Sequence, residues 1–96
     1  MLFRSGAPVV TATLFASTVI RVGWSSDPVV TQFMVEQSTD GLNFAPLATV
    51  SGNQRGYTNS GVALDSTNYY RVQAQNATGP SDFSNIASRE IGRAHV

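Results

Sequence analysis

The chain has 96 residues, 42% of them hydrophobic, with six arginines, no lysine and six carboxylates balancing to a formal charge of zero. A chain this short builds one core, and it lacks the run of about 18 apolar residues that a membrane-spanning helix needs. Singly scattered charges exclude a basic nucleic-acid surface, and the lack of cysteine excludes disulfides, thiolate nucleophiles and cysteine zinc sites.

The two ends read differently from the middle. Residues 91–96, Ile-Gly-Arg-Ala-His-Val, are the translation of the start of a widely used sequencing-library adapter, and residues 1–5, Met-Leu-Phe-Arg-Ser, are the translation of its complement. The expectation is a non-native scar at 1–5, a domain over 6–90 with Glu90 as junction, and a second scar at 91–96. Both scars are expected to pack loosely outside any strand, because no selection fitted them to the core. The alternative is a natural pair of ends, and the codons of the gene decide between the two. Over residues 6–89, with the junction Glu90 left out, four arginines face five carboxylates, and the single histidine, His95, falls outside.

An opening strand is expected at about 9–14. Residues 18–24, Thr-Val-Ile-Arg-Val-Gly-Trp, alternate so that Ile20, Val22 and Trp24 share one face and Val19, Arg21 and Gly23 the other, the period of a half-buried strand. Ser26-Asp27-Pro28 breaks the chain, and residues 32–38 repeat the alternation with Phe33 and Val35 inward and Met34 and Glu36 outward. Glu36→Ala is accordingly expected to change stability by less than about 0.5 kcal/mol.

Thr39-Asp40-Gly41 is a turn signal, so the next strand returns antiparallel, carrying Phe44, Leu47 and Val50. Pro46 places it at a sheet edge, where a missing N–H costs no ladder bond. A short strand around Tyr57 follows. Residues 68–76 form the clearest strand, with Tyr70, Val72 and Ala74 on one face and Tyr69, Arg71, Gln73 and Gln75 on the other. Ala77-Thr78-Gly79-Pro80 turns the chain into a last strand at 83–88. Seven short strands at intervals of about 8–12 residues, without helical periodicity, predict an all-β fold: a seven-stranded immunoglobulin-like antiparallel β-sandwich. A small closed β-barrel is the other architecture the pattern allows.

Pro8, Trp24 after alternating aliphatics, Phe33-Met34-Val35-Glu36 before Ser38-Thr39-Asp40-Gly41, and Tyr70-Arg71-Val72-Gln73-Ala74-Gln75-Asn76 with Gly79, Ser81 and Ser84-Asn85 resemble the strands of a fibronectin type III domain. The resemblance covers about residues 7–86 and implies a module of a multidomain protein. It also implies a corner tyrosine at the position of Asn68 and a leucine at that of Val62. The substitute for the corner is then either Asn68, through a shorter hydrogen bond, or Tyr69, through a local bulge. The loop 76–82, where some animal members of the family carry Arg-Gly-Asp, has no such tripeptide here.

No paired nucleophile and base, no carboxylate pair at a forcing spacing and no metal-ligand cluster stand in residues 6–90. The expectation is therefore a non-catalytic chain without a cofactor. Asn76-Ala77-Thr78 fits the glycosylation acceptor pattern, but an asparagine at a strand end also serves loop backbone groups. The expected recognition surface, if there is one, comprises Tyr69, Arg71, Asn76, Thr78 and Asp82, because tyrosine and arginine favour binding hot spots. Against it stands an ordinary solvated face on which Arg71 packs its stem over Tyr69.

Two functions are consistent with these observations. One is a spacer or accessory module of a secreted or surface multidomain protein, such as a carbohydrate-active enzyme; the other is a protein- or glycan-recognition module of an adhesin, receptor or phage structural protein. The Ser/Thr/Asn-rich, lysine-free composition leans to a bacterial or phage source and to the first. The expected partners are neighbouring domains of a parent chain, with a monomeric module, no nucleic acid, no membrane insertion, and an extracellular or cell-surface location.

Overall fold

The computed structural model describes residues 6–26 and 29–92. The expectations for residues 1–5, for Asp27-Pro28 and for residues 93–96, His95 included, lie outside the described residues. Eight strands follow in order: β1 (Val9–Ala16), β2 (Val19–Ser25), β3 (Gln32–Ser38), β4 (Ala45–Ser51), β5 (Gly56–Asn59), β6 (Ser66–Asn76), β7 (Gly79–Phe83) and β8 (Ala87–Ile91). They make an antiparallel sandwich: β1-β2-β5 on one side and β4-β3-β6-β7 on the other, with β8 pairing the first half of β6.

Alternation decides which side chains enter the gap. Val10, Ile20, Val22, Trp24, Phe33, Val35, Tyr70, Val72 and Ala74 are buried and form one cluster with Val62 and Ile91. Each large apolar side chain taken out of water contributes about 1.5–3 kcal/mol. Trp24 and Phe33 meet from opposite sheets with ring centroids 5.3 Å apart and planes tilted by 54°, a favoured aromatic arrangement. Tyr70 is fully buried, and its hydroxyl accepts a 2.8 Å bond from Asn59 Nδ2. Burial pushes that hydroxyl above the ordinary tyrosine range, against the opposing pull of its bonds to Asn59 and Gln37, so it remains neutral in the core.

Pro46 lies on edge strand β4, as its missing donor requires. The register steps from Val35↔Ala48 to Glu36↔Pro46, leaving Leu47 as the extra residue of a bulge.

Three expectations are corrected. The single last strand at 83–88 is two strands, β7 and β8, so the described residues form eight strands and not seven. Hydroxyls replace part of the ladder there: Ser81 Oγ accepts from Ala74 N at 3.0 Å and Ser84 Oγ from Val72 N at 2.8 Å. Ser84 N in turn donates to Val72 O at 2.8 Å. Asn85 is then free to turn to the other sheet, where its amide accepts from Val10 N at 2.8 Å and donates to Val10 O at 2.9 Å. The second correction is Ile91, which was expected to be loose. It is the last residue of β8, pairs with Ser66 and is fully buried, because an apolar side chain at an inward register position gains by leaving water whatever its origin. The third is Phe44, which precedes β4 and packs on Arg71.

At the corner before β6, Asn68 is buried and donates through Nδ2 to Ser66 Oγ at 2.9 Å, and Ser66 Oγ donates to Ala63 O at 2.6 Å. Gln37 Nε2 donates to Asn68 Oδ1 at 3.0 Å. A two-step relay thus ties the corner to upstream backbone. Tyr69 is not displaced by a bulge: β3 and β6 stay in continuous register from Gln32↔Gln75 to Ser38↔Tyr69. Val62 is buried as the resemblance implies, with its N–H on Thr18 O at 3.0 Å.

Candidate functional site: the outer face of the larger sheet

Residues of β6 alternate, so Tyr69, Arg71, Gln73 and Gln75 lie on the sheet's outer face, each partly buried. Register places Arg71 opposite Glu36 on β3, and Arg71 Nε donates to Glu36 Oε1 at 2.7 Å. The guanidinium lies 4.3 Å from the Phe44 ring centroid and 3.8 Å from that of Phe83. It is held between two rings with its charge met by a carboxylate. The partner of Arg71 is therefore not Tyr69, whose ring instead lies against Gly41, with Cε1 3.4 Å from where a β-carbon would stand. Gly41 has φ 79°, and its missing side chain leaves that space to the tyrosine.

The turn beside it is built by Asp40. One carboxylate oxygen accepts from Leu42 N and Asn43 N, each at 2.8 Å, and from Ser38 Oγ at 2.7 Å; the other accepts from Asn43 Nδ2 at 2.7 Å. The backbone bonds from Asn43 and Leu42, followed by the Asn43 and Ser38 side chains, hold this carboxyl far below the usual carboxylate range.

The other residues of the expected recognition surface are elsewhere. Asn76 ends β6, and its Oδ1 accepts from Thr78 N at 2.8 Å and Gly79 N at 3.3 Å, closing the turn into β7. Thr78 and Asp82 are exposed, in that turn and on β7. Seven residues of extended strand separate Tyr69 from Asn76, about 23 Å. Tyr69 and Arg71 share one end of the face, Asn76 and Thr78 the other, and the five do not converge on one point. Reasoning from single strands missed Glu36, Phe44 and Phe83 as the surroundings of Arg71. Glu36 was readable in principle, since pairing two alternating strands puts outward residues opposite each other.

Among the described residues no group of three or more His, Asp or Glu side chains is placed to hold a metal ion, and no helix is long and apolar enough to cross a membrane.

This architecture, with its buried tryptophan, its clamped first strand and its serine-interrupted last strand, is a fibronectin type III fold. The FN3tt protein superposes with a TM-score of 0.81 at 18% identity, covering 97% of this chain and 100% of the other. The sixth fibronectin type III domain of the human fibronectin type III domain containing protein 3 gives a TM-score of 0.77 at 21% identity over 96% and 87% of the two chains. A β-1,2-glucanase from Parabacteroides distasonis contains a similar unit: TM-score 0.82 at 22% identity over 95% of this chain, which spans 13% of the glucanase. No family model and no curated protein matches the sequence.

Proposed function

We propose that this chain is a non-catalytic accessory module that holds neighbouring units of a secreted or surface multidomain protein, such as a carbohydrate-active enzyme, at a set distance. The observation that carries the reading is the placement of the two ends. β1 starts at Val9↔Ser25, the end where Thr31 N bonds Gln75 O. β8 finishes at Ile91, opposite Ser66, where Asp65 N bonds Gly92 O. Between them runs the whole of β6, eleven residues or about 33 Å of extended strand. A chain entering at one end leaves at the other, so units joined in series are spaced by the sandwich's length. The occurrence of a similar unit within a much longer glucanase supports the multidomain reading.

The carboxylates support the non-catalytic part. Asp40 is engaged by its own turn and Glu36 by Arg71, so neither carboxylate is left uncommitted for a substrate. The test uses the lack of native cysteine: dyes on Ala7→Cys and Gly92→Cys report the end-to-end distance by energy transfer. A narrow distribution near 33 Å, unchanged by salt, is expected. A broad distribution centred near the roughly 50 Å of a flexible chain of this length refutes the spacer.

A further inference from the structure

We infer that the outer face of the smaller sheet carries a binding site for a carboxylate-bearing saccharide, independent of the spacer reading. Two strand-interior glycines stand side by side there: Thr11 pairs with Gly23 and Gly23 with Gly56, so one row across β1, β2 and β5 has almost no side chains. The next row holds Thr13, Arg21 and Thr58. The result is a shallow depression of about 300 Å³ floored by backbone, the Arg55 carbonyl included, and walled by Thr11, Thr13, Phe15 and Arg21. That lies at the small end of ligand sites, about 300–1,000 Å³.

Packing gives no reason for the central glycine. A β-carbon on Gly23 would meet only Thr11 Oγ1 at 3.6 Å and Arg55 O at 3.8 Å, ordinary contacts, and its φ is not in the left-handed region. Glycine inside a strand costs about 0.5–1 kcal/mol relative to alanine and often marks the close approach of a ligand. The fold leaves that space open.

The walls define what would fill it. Of the two arginines in the lining, Arg55 turns its guanidinium to Gly52 O at 2.7 Å and over the Phe33 ring and brings only its carbonyl near Gly23, whereas among the described residues Arg21 has no carboxylate partner; a β-carbon on Gly56 would lie 3.5 Å from its Nη2. In a chain of zero formal charge, this is a local positive site. Phe15, 69% exposed, offers a flat apolar face, and two threonine hydroxyls offer hydrogen bonds. An extended peptide fits less well, because β2 spends its backbone groups on β1 and β5 and leaves none for main-chain pairing. A saccharide needs no such pairing: its ring faces stack on an aromatic, its hydroxyls bond threonine, and its carboxylate pairs with arginine.

The experiment is affinity electrophoresis of the whole chain through gels containing polygalacturonate, with parallel gels containing a neutral glucan or single-stranded DNA. Retardation by polygalacturonate alone is expected. Gly23→Val fills the floor while keeping Arg21, and valine favours strands; its melting temperature is expected to hold while affinity falls about tenfold or more. Arg21→Gln is expected to lose at least as much, as removal of a charge-assisted contact does. Unchanged retardation of a folded Gly23→Val protein overturns the site, as does equal retardation by DNA or no retardation by polygalacturonate.

Discussion

Replacing Asn85 with alanine tests the clamp between the two sheets. Its side chain mimics a strand's backbone by accepting from Val10 N at 2.8 Å and donating to Val10 O at 2.9 Å, seventy-five residues away in sequence. Val10 itself is buried on β1, the outer strand of its sheet, so the bonds are partly shielded from water. Each such bond contributes about 0.5–1.5 kcal/mol net, and a donor left shielded without a partner costs about 1–3. The loss of both is therefore expected to destabilise the domain by about 1–3 kcal/mol. For a domain of this size that lowers the melting temperature by roughly 5–15 °C. Asn85→Asp separates the two halves of the clamp. The carboxylate still accepts from Val10 N but sets negative charge against Val10 O, and is expected to be no more stable than alanine. Urea denaturation gives the free energies, and amide exchange at Val10 is expected to quicken in the alanine variant. An alanine variant within about 0.5 kcal/mol of the parent, the ordinary range for surface changes, with Val10 exchange unchanged, refutes the clamp.

Trp24→Ala is expected to cost about 3–5 kcal/mol by the cavity it opens against Phe33, leaving little folded protein by near-ultraviolet circular dichroism. Glu36→Ala, expected from the sequence to be nearly neutral, is raised by the structure to about 1 kcal/mol. An ordinary surface pair contributes ~0–1 kcal/mol, but this one is partly buried and the two rings hold Arg71 in place, and denaturant melts in low and high salt read the difference. Asp40, whose folded-state pKa is depressed, contributes stability that is fully present above its unfolded value of about 3.9 and is lost as the pH falls below it. Asp40→Asn is expected to flatten that acid limb of the stability profile.

The period-2 alternation of 18–24, 32–38 and 68–76 determined most of the core by itself, because a strand with one face in water and one in a dry gap writes its burial into every second residue. Asp40-Gly41 likewise announced its turn, since the bonds that make it join neighbours in the chain. The break between β7 and β8 was not legible: it depends on Ser81 and Ser84 finding Ala74 and Val72, and on Asn85 finding Val10, which are tertiary meetings. Nor was the burial of Ile91, which follows from its register against Ser66. Candidate sites divide the same way. Arg71 and Gly23 could be seen to point outward, but the rings that close over one and the second glycine that opens a floor beside the other come from distant segments. Only strand pairing brings those segments side by side.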